Sequence, residues 1–308
     1  MQTESKIEFG DCRETMRRWA GEGVKAQMCV TSPPYFGLRD YGHDGQIGLE
    51  QTPEEYIKAM VEVFRCVRDV LADDGTLWVN IGDSYNNFRS QMGPGQAVHG
   101  RDKLNGKPDV KAKKRGVDGL KEKDLIGIPW MLAFALRANG WYLRQDIIWH
   151  KPNPMPESVR DRCTKAHEYV FLLSKSERYF FDSEAMKEPA VCDRMRGPAL
   201  HRDAVSTNGN GGLSRREPQE TRNRRSVWTV ATRPYKGAHF ATFPTELIEP
   251  CVLAGSKEGD FVLDPFMGSG TTAAVAMRLG RKYLGCELNP EYGPLQQERI
   301  DKERTLFD

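Results

Sequence analysis

Short apolar runs alternate along the chain with longer segments in which apolar residues recur at helical spacing. The short runs are rich in β-branched and aromatic residues and predict strands at Lys6–Gly10, Gln27–Thr31, Thr76–Ile81, Leu143–Trp149, Tyr169–Leu173, Phe261–Leu263 and Lys282–Glu287. The longer segments predict helices at Thr52–Val70, Ile128–Asn139 and Thr271–Leu279, the last two followed by a glycine (Gly140, Gly280). Alternating strands and helices favour an α/β fold with a doubly wound, mostly parallel sheet.

The overall composition narrows the class of protein. With 308 residues, 39% hydrophobic and 29% charged, the chain can bury a full α/β core. No window approaches the ~18 consecutive apolar residues of a membrane span, so we expect a soluble, intracellular protein. The seven cysteines are scattered and form no Cys-x-x-Cys pair, so we expect neither a disulfide framework nor a metal site.

Two stretches that interrupt the strand and helix pattern are strongly basic. Residues 101–123 carry nine basic side chains against four acidic ones, and residues 192–225 carry eight arginines. Charged insertions are often simply solvated loops. Two of them in one chain, whose net charge is only +2, also suit contacts to DNA phosphates and guanines. The candidate DNA-binding residues are Lys113, Lys114, Arg215, Arg216, Arg222, Arg224 and Arg225.

A glycine-rich turn follows the predicted strand Phe261–Leu263. Residues 264–272 read Asp-Pro-Phe-Met-Gly-Ser-Gly-Thr-Thr, and Glu287 ends the next strand, where a carboxylate can accept hydrogen bonds from ribose hydroxyls. A phosphate-binding loop would need a lysine after the second glycine, and none follows Gly270. A dinucleotide-binding fingerprint fits formally, so this motif alone predicts a nucleoside cofactor without specifying which one.

A second motif, Ser-Pro-Pro-Tyr at residues 32–35, follows the predicted strand Gln27–Thr31. Ligands of doubly wound sheets bind beyond the carboxyl ends of the strands. The two prolines stiffen the turn and leave its carbonyl groups free to accept hydrogen bonds. Such acceptors suit an amino group, which offers two protons, and Tyr35 offers a face for stacking. The alternative is a proline-stiffened turn without a ligand.

Together the two motifs resemble those of amino-methylating DNA methyltransferases of the β arrangement. In that family a (D/N/S)PP(Y/F) motif lies early in the chain and the Asp-Pro-Phe-x-Gly-Ser-Gly-Thr motif lies near the C-terminus. The resemblance covers nearly the whole chain, with further matching segments at Gly10–Glu14, Leu71–Asp83, Ile147–Pro154 and Ala238–Pro244. It implies a Rossmann-like methyltransferase fold, S-adenosylmethionine as cofactor, and double-stranded DNA as the partner, methylated on an exocyclic amine of a flipped-out base.

The resemblance also assigns roles to individual residues. The cofactor-binding residues would be Asp11, Asp264, Phe266, Gly268, Gly270, Thr271 and Glu287. Asp264 and the loop after it would hold the methionine end, Glu287 the ribose hydroxyls and Asp11 the adenine amino group.

The catalytic residues would be Ser32, Pro33, Pro34 and Tyr35. The Ser32 hydroxyl and the Pro33 carbonyl would accept the two protons of the target amine. Tyr35 would stack on the extruded base, with Trp149 a weaker candidate for the opposite wall of the base pocket.

The resemblance further divides the chain into regions. The catalytic domain would comprise 1–85, 120–182 and 228–308, with 86–119 as a basic, DNA-facing loop. Residues 183–227 are the best candidate for an inserted target-recognition region. We expect a cytoplasmic, nucleoid-associated enzyme of a prokaryotic cell or phage, and a cognate restriction endonuclease is a candidate partner.

The serine form of the catalytic motif usually accompanies N4-cytosine methylation in this family, and the aspartate form N6-adenine methylation. Ser32 therefore favours N4-cytosine, with N6-adenine as the alternative. Two other classes stay open at this point. A nicotinamide-dependent dehydrogenase would explain the glycine motif but not the Ser-Pro-Pro-Tyr motif. A catalytically idle DNA-binding protein would explain only the basic insertions.

Overall fold

A twisted sheet covered by helices on both faces forms the centre of the protein. The computed structural model describes residues 4–38, 40, 42, 43, 45–86, 116, 117, 119–190, 220–232 and 243–304. Its strands are β1 (Lys6–Phe9), β2 (Ala26–Thr31), β3 (Leu71–Ile81), β4 (Tyr142–His150), β5 (His167–Ser174), β6 (Lys187–Pro189), β7 (Thr221–Asn223), β8 (Val227–Thr229), β9 (Phe261–Asp264) and β10 (Lys282–Glu287). Its helices are α1 (Cys12–Gly21), α2 (Pro53–Val70), α3 (Ile128–Ala138), α4 (Thr245–Gly255), α5 (Thr271–Arg278) and α6 (Gly293–Arg304).

The large sheet has the order β1-β10-β9-β2-β3-β5-β4-β8. Strand β5 runs antiparallel to both of its neighbours, and the other pairs in the sheet are parallel. The predicted α/β fold with a doubly wound, mostly parallel sheet is therefore confirmed. Each predicted strand and helix is present with its ends shifted by at most two residues, except that β3 begins five residues earlier, at Leu71.

Side chains of successive strand residues point into two separate cores, one on each face of the sheet. In β2, Cys29 packs with residues of α1, α2 and α3, whereas Met28 and Val30 pack with residues of α4 and α5. All three β2 side chains are at most 2% exposed. Burial on both faces explains why the central strands are continuous apolar runs rather than alternating ones.

Sequence analysis did not predict α1 and α6. Helix α1 has only three buried apolar side chains (Cys12, Met16 and Trp19) among several charged residues. In α6, Gln296 and Ile300 are buried at 2% and 3% exposure, and the rest of the helix is mostly polar. In α6 the apolar residues are too few to reveal the helix by periodicity, whereas α1 has apolar residues at helical spacing and was overlooked. None of the helices within the described residues has the length and apolar character needed to cross a membrane.

The connections of β2 and β9 place a crevice between them. Strand β2 continues through α2 to β3 on one side, and β9 continues through α5 to β10 on the other. These two strands are parallel neighbours, with Cys29 opposite Leu263. Because the chain leaves them in opposite directions, their carboxyl ends form the topological switch point at which such sheets bind ligands. Both sequence motifs begin there.

The proposed division into regions remains a prediction. Most of 86–119 and of 183–227 lies outside the described residues. Within 183–227, β6 and β7 form a small antiparallel sheet whose pairs include Lys187 with Asn223. Strand β8, which begins at Val227, already belongs to the large sheet.

Candidate active site

Asp264 joins the two motifs at the base of the crevice. Its Oδ1 accepts hydrogen bonds from Thr31 Oγ1 at 2.6 Å and from Phe266 N at 3.0 Å, and its Oδ2 accepts one from Thr272 Oγ1 at 2.6 Å. The residue is 1% exposed, and this burial raises the pKa of its carboxyl group to about 6 despite the three donors. Since Thr31 precedes Ser32 directly, one carboxylate fixes the end of β2 against the turn before α5.

Glu287 lies at the carboxyl end of β10 and is 9% exposed. Its Oε2 accepts from Gly268 N at 2.7 Å and its Oε1 from Asn289 N at 2.8 Å. Burial raises the pKa of this carboxyl group. An ionised carboxylate has about four acceptor positions, so acceptor capacity remains for other donors such as ribose hydroxyls. The sequence predicted this carboxylate, and the structure places it beside the glycine turn.

Two glycines leave space next to the backbone beside Glu287, where a ligand could approach closely. Gly10 donates its N–H to the Glu287 carbonyl at 2.8 Å and has a φ of +133°, and no atom lies within 4 Å of where a Cβ would stand. Gly268 has a φ of +52°, and its nearest such atom is 3.9 Å away. Side chains at either position would fill this space. The open backbone and the adjacent carboxylate fit a nucleoside with ribose hydroxyls to donate.

Helix α6 holds the glycine turn from behind, and the sequence did not predict this support. Gln296 Nε2 donates to the Gly268 carbonyl at 2.7 Å, and Arg299 donates to the hydroxyls of Ser269 and Thr271. The predicted cofactor residue Thr271 is 3% exposed and uses its hydroxyl in this way. Gly270 has a φ of +82°, and a Cβ there would stand 3.2 Å from the Gln296 Cα. A larger residue at 270 would therefore both strain the turn and displace α6.

Asp11, the residue expected to receive the adenine amino group, caps the N-terminus of α1. Its carboxylate accepts from Arg13 N at 2.8 Å and from the Arg13 guanidinium at 2.6–3.1 Å. The hydrogen-bonded Arg13 side chain lowers the pKa of Asp11. The side chain of Asp11 is still 31% exposed, and the assignment to adenine remains a prediction.

The Ser-Pro-Pro-Tyr turn is held by residues far away in the sequence. The Tyr56 hydroxyl, from α2, donates to the Pro34 carbonyl at 2.8 Å. The ring of Tyr35 lies against Gly82, where a Cβ would stand 2.8 Å from the Tyr35 Cε2. Gly82 follows β3, and its lack of a side chain makes room for the aromatic ring. The turn is therefore fixed from two sides.

The Tyr35 hydroxyl belongs to a half-buried polar network that sequence analysis missed. It donates to Glu168 Oε2 at 2.7 Å, and the Ser32 hydroxyl is a second hydrogen-bonding partner. Glu168 also accepts from Asn80 Nδ2 at 3.3 Å and forms an ion pair with Lys151. Burial, reinforced by the Glu168 carboxylate, raises the pKa of Tyr35 well above its usual range. The tyrosine hydroxyl therefore stays protonated and acts as a donor.

Trp149, the weaker candidate for the base pocket, packs in a core. It is 3% exposed and its indole N–H donates to the Val230 carbonyl at 2.8 Å. The Lys151 ammonium lies 4.3 Å from the centre of its ring. The ring is thus covered in this structure, and its role toward the base remains a prediction.

Four of the candidate DNA-binding residues, Lys113, Lys114, Arg215 and Arg216, lie outside the described residues. The other three lie around β7. Arg222 and Arg225 both donate to Glu188 Oε1, at 2.9 and 3.1 Å, and the Arg224 guanidinium lies 5.4 Å from the centre of the Trp228 ring. Arg225 keeps 70% of its side chain exposed. Glu188 offsets part of the basic charge that the sequence suggested.

Comparison with known proteins agrees with this geometry. Residues 26–298 match the sequence profile of a DNA methylase family that groups N6 and N4 methyltransferases. The chain is 48% identical to the type II methyltransferase M.Cfr9I of Citrobacter freundii, over 96% of this chain and 87% of the relative. It is also 48% identical to the type II methyltransferase M.SmaI of Serratia marcescens, over 97% and 91%.

Solved structures share the fold at low sequence identity. The PvuII DNA methyltransferase (cytosine-N4-specific) superposes with a TM-score of 0.62 at 19% identity, over 99% of this chain and 92% of that one. A putative DNA modification methylase of Thermus thermophilus, complexed with S-adenosyl-L-methionine, gives 0.58 at 24% identity, over 97% and 94%. The family match, together with the 48% identity to type II methyltransferases, excludes a dehydrogenase. The chain belongs to the N6/N4 DNA methylase family, and it is a type II DNA methyltransferase that uses S-adenosylmethionine.

Proposed function

We propose that this enzyme methylates the exocyclic N4 of a cytosine that has been flipped out of duplex DNA. The observation that supports it most directly is the 2.6 Å hydrogen bond between Thr31 and Asp264. It fixes the Ser-Pro-Pro-Tyr turn and the glycine turn at one crevice, so that an amine held by the first faces a methyl group held by the second.

The residues of the glycine turn fit the cofactor at its nucleoside end. Glu287 has acceptor positions left for the ribose hydroxyls, and Gly10 and Gly268 leave the adjacent backbone open. Asp264 shapes the loop that would hold the methionine end. When bound, S-adenosylmethionine supplies an electrophilic methyl group on a cationic sulfur.

The catalytic turn acts by positioning. An exocyclic amine is a poor nucleophile because its lone pair is delocalised into the ring. The Ser32 hydroxyl and the Pro33 carbonyl accept its two protons and favour a pyramidal nitrogen, whose lone pair then points across the crevice. Preorganised acceptors of this kind need no covalent intermediate.

Tyr35 receives the extruded base. Flipping a nucleotide out of the duplex costs a few kcal/mol, and stacking on an aromatic side chain offsets about 1–3 kcal/mol of this. The contacts with Gly82 and Glu168 hold the ring and the hydroxyl of Tyr35 in one orientation before the base arrives.

The choice of cytosine rests on Ser32. A neutral hydroxyl occupies the position at which the adenine-specific form of the motif usually carries a carboxylate. The PvuII enzyme, which is cytosine-N4-specific, is similar in fold at 19% identity, and this likeness alone does not determine the base. Adenine therefore remains an outcome of the test.

We further propose that residues 183–227 read the target sequence. The small sheet of β6 and β7 brackets the segment at both ends, and Arg225 is more exposed than Arg222, with which it shares Glu188. A cognate restriction endonuclease would share this target, because the relatives are type II methyltransferases.

The function is tested by mass spectrometry of nucleosides from plasmid DNA incubated with the protein and S-adenosylmethionine. We expect N4-methylcytosine, and its loss in Ser32→Ala with cofactor binding retained. N6-methyladenine would overturn the assignment of the base. No methylated nucleoside on varied DNA would overturn the proposed reaction.

A further inference from the structure

The loop between β4 and β5 (residues 151–166) carries an apolar side chain in an unusual setting. Met155 is 86% exposed, the highest value among the large apolar side chains of the described residues. It stands on the carboxyl side of β4, which is the same edge of the sheet as the catalytic turn. A side chain this exposed contributes little to the stability of the protein.

The backbone on both sides of Met155 is stiff. Prolines at 152, 154 and 156 alternate with other residues, and each restricts the preceding residue to extended conformations. Asn153 is bound at both ends of its side-chain amide: its Nδ2 donates to the Thr232 carbonyl at 3.0 Å, and its Oδ1 accepts from Thr232 N at 3.0 Å. Met155 thus stands on a rigid backbone, so little backbone conformational entropy would be lost when a partner buries its side chain.

The start of this loop is tied to the base-binding side of the crevice. Lys151 N donates to the Ala166 carbonyl at 2.8 Å, and its ammonium group pairs with Glu168, which binds the Tyr35 hydroxyl. Four residues of extended chain span at most about 14 Å. Met155 therefore lies at most about 14 Å from Lys151, at the edge of the sheet where Tyr35 also lies.

The rest of the loop suits the surface of a duplex. Arg160 is exposed, and the Arg162 guanidinium lies 3.9 Å from the centre of the Tyr85 ring. Glu157 pairs with Arg162 and Asp161 with Lys123, so the acidic groups here are engaged with cations. Proteins that insert an apolar side chain between DNA bases commonly have basic side chains beside it, as this loop does.

We propose that Met155 is a wedge that fills the gap left in the duplex by the flipped-out base and packs against the neighbouring base pairs. The unbranched thioether is polarisable and adapts to aromatic faces. This inference rests on the proposed base flipping. It assigns to the loop 151–166 a contact with the bases themselves, separate from the basic regions 86–119 and 183–227.

The test compares two duplexes that carry a site methylated by the wild-type enzyme in plasmid DNA. In one the target base is normally paired, and in the other it faces an abasic position, so that it is already free to leave the stack. We expect Met155→Ala to lower kcat/KM about tenfold or more on the paired duplex and less than about threefold on the abasic one. Met155→Leu should stay near the wild type on both.

Val159→Ala is the matched control, since Val159 is an exposed apolar residue of the same loop, at 36% exposure. It should leave both rates unchanged, and all variants should keep the wild-type Tm. Equal losses on the two duplexes, or no loss for Met155→Ala, would overturn the wedge. If the wild-type enzyme methylates no site in plasmid DNA, the proposed function itself fails, which is a distinct result.

Discussion

The two sides of the crevice are built on different physical principles. The side proposed to bind the cofactor, here the cofactor wall, consists of Asp264, Glu287 and the turn 265–270. Its carboxylates are bound mainly by backbone N–H groups and threonine hydroxyls. The side proposed to receive the base, here the base wall, consists of Tyr35, Asn80, Lys151 and Glu168. It is held by contacts between side chains, including an ion pair.

The two walls also differ in how far apart their members lie in the sequence. On the cofactor wall, Asp264 is bound by donors two and eight residues away, and Thr31 is its distant donor at 233 residues. On the base wall, Tyr35 and Glu168 are 133 residues apart, and Asn80 and Glu168 are 88 apart. A local motif shapes the first wall, whereas the folded sheet assembles the second by bringing β2, β3, β4 and β5 together. The two walls should therefore respond differently to substitution.

The largest effect is expected at Ser32, which stands between the walls. In the proposed mechanism Ser32→Ala removes one of two fixed acceptors for the target amine, and the loss of one such preorganised partner costs about 10²–10³-fold in kcat. Single-turnover methylation measures this loss. The Kd for S-adenosylmethionine, measured by calorimetry, should be unchanged. A higher Kd would show that Ser32 also contributes to cofactor binding, so that substitutions here affect both walls.

The same difference explains what the sequence could predict. The glycine motif and Glu287 lie within 24 residues of chain that form one strand, turn, helix and strand unit, so their proximity follows from local pattern. Glu168 is an ordinary charged residue at the start of a strand, and only the antiparallel pairing of β5 with β3 brings it beside Asn80. Gln296 lies on a helix with too few apolar residues to be detected, so the support of the glycine turn was also missed.

A second, smaller effect should separate the base wall from the cofactor wall. Glu168→Gln weakens the charge-assisted bond to the Tyr35 hydroxyl, and Tyr35→Phe removes it while keeping the ring. Bonds to charged groups contribute about 1.5–3 kcal/mol, so each variant should lose about 10–100-fold in kcat/KM. The double variant should be no worse than the poorer single one, because both substitutions act on the same hydrogen bond.

The matched control for this cycle is Glu249→Gln, which breaks a remote ion pair with Arg278 of 2.9 Å. It should leave kcat/KM unchanged. Additive losses for Glu168→Gln and Tyr35→Phe would mean that the carboxylate and the tyrosine act independently, and the base wall would then not be a single unit.

The third effect is a pH dependence confined to the cofactor wall. Burial raises the pKa of Asp264 to about 6, so lowering the pH through this value protonates it and removes a negative charge that a cationic cofactor would meet. If only the ionised form binds, the Kd for S-adenosylmethionine should be about tenfold weaker at pH 5 than at pH 7.5. Calorimetry at the two pH values measures this change.

Asp264→Asn keeps the shape of the side chain and should bind weakly with a flatter pH dependence. Any pH dependence of the Kd that remains in this variant would be assigned to Glu287, because burial also raises the pKa of that carboxyl group. A wild-type Kd that is the same at both pH values would show that the charge of Asp264 does not affect cofactor binding.

The smallest effect tests whether the cofactor wall depends on helix α6. Gln296→Ala removes the donor to the Gly268 carbonyl, a bond worth about 1 kcal/mol, and so should raise the Kd for S-adenosylmethionine about fivefold. Because Gly268 also donates to Glu287, a loosened turn disturbs the ribose site as well.

The neighbouring Gln297→Ala is the control, since its amide bonds to Asp301 within the exposed face of α6. At saturating cofactor kcat should not change, because no member of the base wall contacts Gln296 in the described structure. A fall in kcat with an unchanged Kd would instead show that α6 also positions the base. A substitution on one wall would then affect the function of the other.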